Sequence, residues 1–211
     1  MKNKFIALIL TYFILNSFAF SQEFSFKTKK IEITKNGEFI TATDGKAVSN
    51  NGDLEISGNK FKYDKNRNIL NVSGNGTIII KSQSLEILFN NSIINQNNST
   101  IQASGNVKIL DKKKNLEIIS DSIFYDRNQN YIESDTKTNI EDGYQNYYLV
   151  DKFSYEINKD LLKVENLIYK DLQNNIMQTS LAYINTKTNR LFGKDISVSL
   201  NNKTFNNDNE P

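Results

Sequence analysis

The sequence predicts an all-β protein: an elongated antiparallel β-jelly roll whose two facing sheets are built from stacked repeats of roughly 30 residues. Three observations predict it. First, Leu54-Glu55-Ile56-Ser57-Gly58-Asn59-Lys60-Phe61-Lys62-Tyr63-Asp64 returns as Leu116-Glu117-Ile118-Ile119-Ser120-Asp121-Ser122-Ile123-Phe124-Tyr125-Asp126. A shortened copy, Leu85-Glu86-Ile87, lies midway, so the leucines recur every 31 residues. Second, apolar residues alternate with polar ones from Thr28 onward, the period of a strand with one buried face. Third, the 211-residue chain holds one proline, Pro211, so nothing interrupts strand pairing along its length.

The elements follow in order. Ile31 and Ile33 open the alternation, then Leu54 and Ile56, Leu70 and Val72, and Ile78 and Ile80. Ile101 and Ala103, Val107 and Ile109, Leu116 and Ile118, and Leu162 and Val164 continue it. Clusters of Gly and Asn between these runs predict turns every 8–12 residues or so, hence short strands. Asn tolerates a left-handed backbone and bonds its own main chain, which accounts for Asn50-Asn51-Gly52 and Asn97-Asn98 as turn residues. Looser copies, Phe153 to Glu165 and Leu181 to Gly193, bring the count to about five units, and irregular end units fit a stack that needs caps. No unit can bury its own apolar face, so stacking must build the core. The Asn-Gly and Asp111-Lys112-Lys113-Lys114-Asn115 turns favour reversals, and so an antiparallel form over a parallel β-helix.

Residues 1–21 read as a cleaved signal peptide. Lys2 and Lys4 precede the apolar run Phe5–Leu15, which is too short to span a membrane, and Ala19-Phe20-Ser21 suits cleavage before Gln22. The domain is expected over 22–200, with a C-terminal link at 201–211. Without Lys2 and Lys4 the chain carries 24 basic and 24 acidic residues, which leaves no footprint for nucleic acid.

Chemistry is sparse. The chain has no histidine and no cysteine, which excludes Ser-His-Asp and Cys-His sites and most zinc sites. Asp64 and Asp126 recur after a tyrosine where strands meet Asn-rich turns, so they read as turn caps rather than as a carboxylate pair for glycoside hydrolysis. Asp121 reads either as turn-forming or as a contact for a polar ligand group. Calcium-binding Gly-Gly-x-Gly-x-Asp repeats are absent. No catalytic residue, metal site or cofactor is expected. What remains is the apolar interior, a plain core if the sheets close and a ligand groove if they splay along one seam.

Gly105-Asn106-Val107-Lys108-Ile109 followed by Leu116–Asp126, with Leu70-Asn71-Val72-Ser73-Gly74-Asn75-Gly76 as a further copy, resembles the repeat of the OstA-like lipopolysaccharide-transport domains. That family includes the periplasmic bridge protein LptA, its inner-membrane partner LptC and the N-terminal region of LptD. Asn36-Gly37-Glu38 to Ala42, Gly45–Val48 and Leu191–Val198 look most like the LptD region. The cysteines that staple that region to its barrel in many relatives are missing here.

The resemblance implies a non-catalytic module on the periplasmic side of the outer membrane that shields acyl chains of lipopolysaccharide. The alternatives are a free-standing bridge of the LptA type and a structural β-solenoid with a closed core. Strand alternation then assigns the groove lining to Ile56, Phe61, Val72, Ile78, Ile87, Ala103, Ile109, Ile118 and Ile123. The N-terminal edge strands, around Lys30–Thr34 and Phe39–Thr43, would dock an LptA-type bridge protein. A membrane barrel and its plug lipoprotein would be the partners at the other end.

Overall fold

The computed structural model describes residues 24–201; the expected signal peptide and most of the C-terminal link lie outside them. Fifteen strands form the described chain: β1 Phe24–Thr34, β2 Phe39–Ser49, β3 Leu54–Asp64, β4 Ile69–Ile80 and β5 Leu85–Asn95 come first. Next are β6 Thr100–Asp111, β7 Leu116–Asp126, β8 Tyr131–Ser134, β9 Thr138–Glu141 and β10 Tyr147–Val150. β11 Lys152–Glu156, β12 Leu161–Lys170, β13 Ile176–Asn185, β14 Arg190–Lys194 and β15 Ser197–Ser199 complete the set. Every pairing is antiparallel, as the turn chemistry predicts.

The strands are longer than the turn spacing predicts. Leu70–Asn75 and Ile78–Ile80 belong to one strand of 12 residues, and β6 repeats the pattern. Gly74-Asn75 and Gly105-Asn106 are not turns between strands but corners within them. All four residues have positive φ, and the pairing register slips at Ser73/Gly76 and Ser104/Val107. Two consecutive left-handed residues bend the strand and return the same face inward. A Cβ on Gly74 or Gly105 would stand 2.9 Å from Cβ of Asn59 or Asn90 on the adjoining strand, so both the dihedral and the packing require glycine. The 31-residue echo is therefore a hairpin of two bent strands.

Bending every long strand folds one continuous sheet into two facing layers. The upper layer runs β1 to β7, then β9, β10, β12, β13 and β15. The lower layer shares β1 to β7 and continues through β8, β11, β12, β13 and β14. The architecture is an elongated β-jelly roll closed along the corners. Its opposite long side is a seam between two rows of turns. At the N-terminal end Phe24 and Phe26 of the upper layer meet Tyr63 and Phe61 of the lower layer edge to face, at 5.6 and 6.1 Å.

Ile31 and Ile33 share the inward face of the lower layer yet are 52% and 59% exposed, because no upper strand covers them. At the other end Val198, in register with Met177 and Tyr169, lies on the inward face of the upper layer and is 58% exposed. The two layers are thus offset along the stack, each leaving an apolar overhang. Among the described residues no helix is long and apolar enough to cross a membrane.

Candidate functional site

The candidate site is the interior between the layers, built from cross-strand rows. In the upper layer Ile56, Ile78, Ile87, Ile109, Ile118 and Ile140 stand directly beside one another on successive strands. In the lower layer Phe61, Val72, Ser92, Ala103 and Ile123 form the matching row nearest the corner. β-Branched side chains suit such rows because their stiff χ1 packs on the pleated neighbour. The nine residues that the sequence analysis assigns to a groove lining fall into these two rows and face inward, each at most 4% exposed. The assigned residues face inward on both sides of the corner in β3, β4, β6 and β7, and on one side in β5. Ser92 breaks the lower row and donates to Gln102 O at 2.8 Å.

Further along, the lining turns polar. β7 forks there, pairing β9 with one half and β8 with the other. Ser120 Oγ lies 2.9 Å from each of Ser134 Oγ, Thr136 Oγ1 and Thr138 Oγ1, so the hydroxyls satisfy one another where the interior is buried. Nothing in the alternation signals this cluster, since a serine at an inward position reads as an interruption.

The seam is the second feature. Several turns are capped by the last strand residue. Asp64 Oδ1 accepts from Arg67 N at 3.1 Å, and Asp126 Oδ1 accepts from Asn128 N and Gln129 N at 2.9 and 3.1 Å. Both aspartates are therefore occupied as turn caps, and Asp121 is an exposed strand residue at the corner. Neighbouring turns are stitched by main-chain bonds, Gln96 N to Asn68 O and Arg127 N to Ser99 O at 3.0 Å each on the lower row. Lys81 N to Asp53 O and Lys112 N to Ser84 O do the same on the upper row.

Across the seam the two rows touch through side chains. Arg127 Nη2 donates to Asp53 Oδ2 at 2.9 Å, and Gln83 Nε2 donates to Asn130 Oδ1. Lys114 Nζ donates to Ile157 O and meets Asp160 Oδ1, both at 2.6 Å, and sits 5.0 Å above the Tyr155 ring. Tyr155 Oη donates to Asp111 Oδ2 at 2.8 Å. These partners are 43 to 74 residues apart in the chain, a proximity that no local pattern encodes.

Electrostatics follow from this placement. Partial burial pushes the Asp53 carboxyl up, but hydrogen bonds from Ser82 and the Arg127 charge outweigh it and hold the group below its usual range. Burial pushes the Tyr125 hydroxyl up to about 12. Burial, reinforced by the Asp111 and Asp142 carboxylates, raises Tyr155 and Tyr148 further. No group of three or more Asp or Glu among the described residues is placed to hold a metal ion.

No protein-family model and no curated protein matches the chain. Among solved structures it is similar to the crystal structure of LptH from Pseudomonas aeruginosa, described as the LptA homologous periplasmic component of the conserved lipopolysaccharide transport device. That similarity has a TM-score of 0.31 at 6% identity, covering 70% of this chain and 94% of the other. A likeness this distant bears no functional weight, so function rests on the residues and geometry above.

Proposed function

We propose that this chain is a non-catalytic module of lipopolysaccharide transport and outer-membrane assembly, which shields acyl chains between its two layers. One observation carries the reading. The interior is a mostly apolar lining along the stack, interrupted by Ser92 and by the hydroxyl cluster around Ser120, with inward-facing apolar residues uncovered at both ends. An acyl chain needs an apolar track with an outlet, and it asks nothing of acids, bases or metals. The resemblance of the repeat to OstA-like domains supports the cargo, and the LptD-like opening and closing segments favour the N-terminal part of LptD over a free-standing bridge.

The overhang at Ile31 and Ile33 on edge strand β1 suits docking of an LptA-type protein by strand addition. The opposite end would lead to the membrane barrel and its plug lipoprotein. A periplasmic position at the outer membrane follows from the same reading.

Photo-crosslinking to lipopolysaccharide tests it. Crosslinkers at Ile56, Val72, Ile87 and Ile118 are expected to capture the lipid, and those at the outward positions Glu55 and Asn71 are not. Capture confined to the outward positions would sink the proposal. A second reading, a structural β-solenoid with a closed core, is favoured by the near-complete burial of all nine lining residues. Absence of capture at every position would select it.

A further inference from the structure

We propose that acyl chains are admitted sideways, through the seam between the two rows of turns, and that the polar contacts across this seam form its latch. This deepens the lipid-shielding reading and rests on it. The corner side cannot open, because every long strand runs unbroken from one layer into the other and would have to be pulled out of its pairing. Among the described residues the seam side carries no main-chain pairing between its rows. It is held by three side-chain ties between turns, Asp53 with Arg127, Gln83 with Asn130, and Lys114 with Ile157 O and Asp160, and by the buried bond from Tyr155 to Asp111 behind the last of them.

Three features set these ties apart from ordinary surface contacts. They lie in line, each joining an upper turn to a lower turn. The two charged ties are shielded, with side chains only 15–27% exposed, where the surface ion pair of Lys29 and Asp44 shows 79% and 50%. Beside the Asp53–Arg127 tie the closed state is imperfect: Tyr125 Oη is buried without a hydrogen-bond partner, within reach of both charges. Opening the seam would give that hydroxyl water or a ligand group to bond, so the closed form holds a polar atom that the open form relieves.

Beyond the last tie the seam continues as a narrow cleft of about 20 Å³ between Lys114 and Gly143 on one side and Thr186 on the other. Its floor is Leu116, Leu162 and Ile184 of the core, and the exposed ring of Tyr144 stands at its rim. A cleft this size admits no acyl chain while closed. Core side chains line this opening and no tie crosses it, so parting would start there.

The absence of cysteine permits a direct test. Gln83→Cys and Asn130→Cys, joined by a short bis-maleimide linker, fasten the seam. Ser82→Cys and Lys113→Cys, joined by the same linker, connect two turns of the upper row only. Uptake of cis-parinaric acid and of lipid A is followed by fluorescence in stopped flow, with far-ultraviolet circular dichroism to verify folding. The seam linker is expected to slow uptake at least tenfold, while the upper-row linker takes up both lipids at the wild-type rate and the unlinked Gln83→Cys/Asn130→Cys variant, which lacks one tie, is at least as fast as the wild type. Releasing the latch with Arg127→Ala and Lys114→Ala together is expected to raise the uptake rate several-fold. Unchanged uptake through the fastened seam would overturn the seam while leaving the lipid function standing. Equal slowing by the upper-row linker would overturn it too. If even the wild-type protein takes up neither lipid, the lipid-shielding reading falls and this inference falls with it.

Discussion

Tyr155 Oη donates to Asp111 Oδ2 at 2.8 Å, joining strand β11 of the lower layer to the end of β6 in the upper layer. Both residues are almost fully buried, and the other carboxylate oxygen caps its own turn through Lys113 N and Lys114 N. Tyr155→Phe would keep the ring beneath Lys114 and leave one oxygen of a buried carboxylate without its donor. The expected loss is about 1–3 kcal/mol, read as a lower midpoint in urea denaturation at unchanged slope. A midpoint within error of the wild type would mean that solvent reaches Asp111.

The buried tyrosines predict alkaline instability. Tyr125, Tyr148 and Tyr155 have folded-state values raised above the usual 10, so below pH 10 they are neutral in both states and contribute in full. As pH climbs past 10 the unfolded chain ionises them first, and stability falls through about 12, the value for Tyr125. Tyr125, Tyr148 and Tyr155 should therefore stay protonated in the folded protein after exposed tyrosines have ionised, when absorbance at the tyrosinate band is titrated, and should ionise together on unfolding. Ionisation of these three near the usual value would contradict their burial.

The corners predict a second weakness. Gly105→Ala places a methyl group at φ +78° and 2.9 Å from Asn90 Cβ. Left-handed strain alone costs about 1–2 kcal/mol per residue, and the close contact adds to it. Gly74→Ala repeats the situation one hairpin earlier, so the pair should lose roughly the sum. Equilibrium denaturation of the singles and the double measures this, and a neutral Gly105→Ala would show that the corner has room to relax.

Position along the stack separates fold from docking. Ile118→Ala opens a cavity in the middle of the isoleucine row and should cost about 2–5 kcal/mol. Ile33→Lys changes an exposed residue and should shift stability by no more than about 0.5 kcal/mol. If β1 docks a bridge protein, the same Ile33→Lys weakens that complex at least tenfold in a titration against a purified LptA-type domain. Undiminished binding would move the docking surface away from β1.

The stacked architecture was legible because two periods coincide in the sequence. Alternation marks which residues face inward, and the 31-residue echo marks how many residues make one hairpin. Together they place Ile56, Phe61, Val72, Ile78, Ile87, Ala103, Ile109, Ile118 and Ile123 on the interior faces where the structure has them. Phe61 and Val72 face inward across a corner from Ile56 and Ile78: β4 keeps its phase through the bend, whereas in β3 the inward positions shift by one residue between Gly58 and Phe61.

Strand length was not legible. Gly74-Asn75 and Gly105-Asn106 look like turns, and only the pairing of their flanks with unbroken neighbouring strands makes them corners. The offset of the layers, which uncovers Ile31, Ile33 and Val198, and the seam contacts of Asp53, Gln83 and Lys114 were equally hidden. Periodicity is a property of neighbours in the chain and determines which face of a strand is apolar. Which turn meets which across a seam depends on how far two bent layers slide past one another, and only packing of the whole stack decides that.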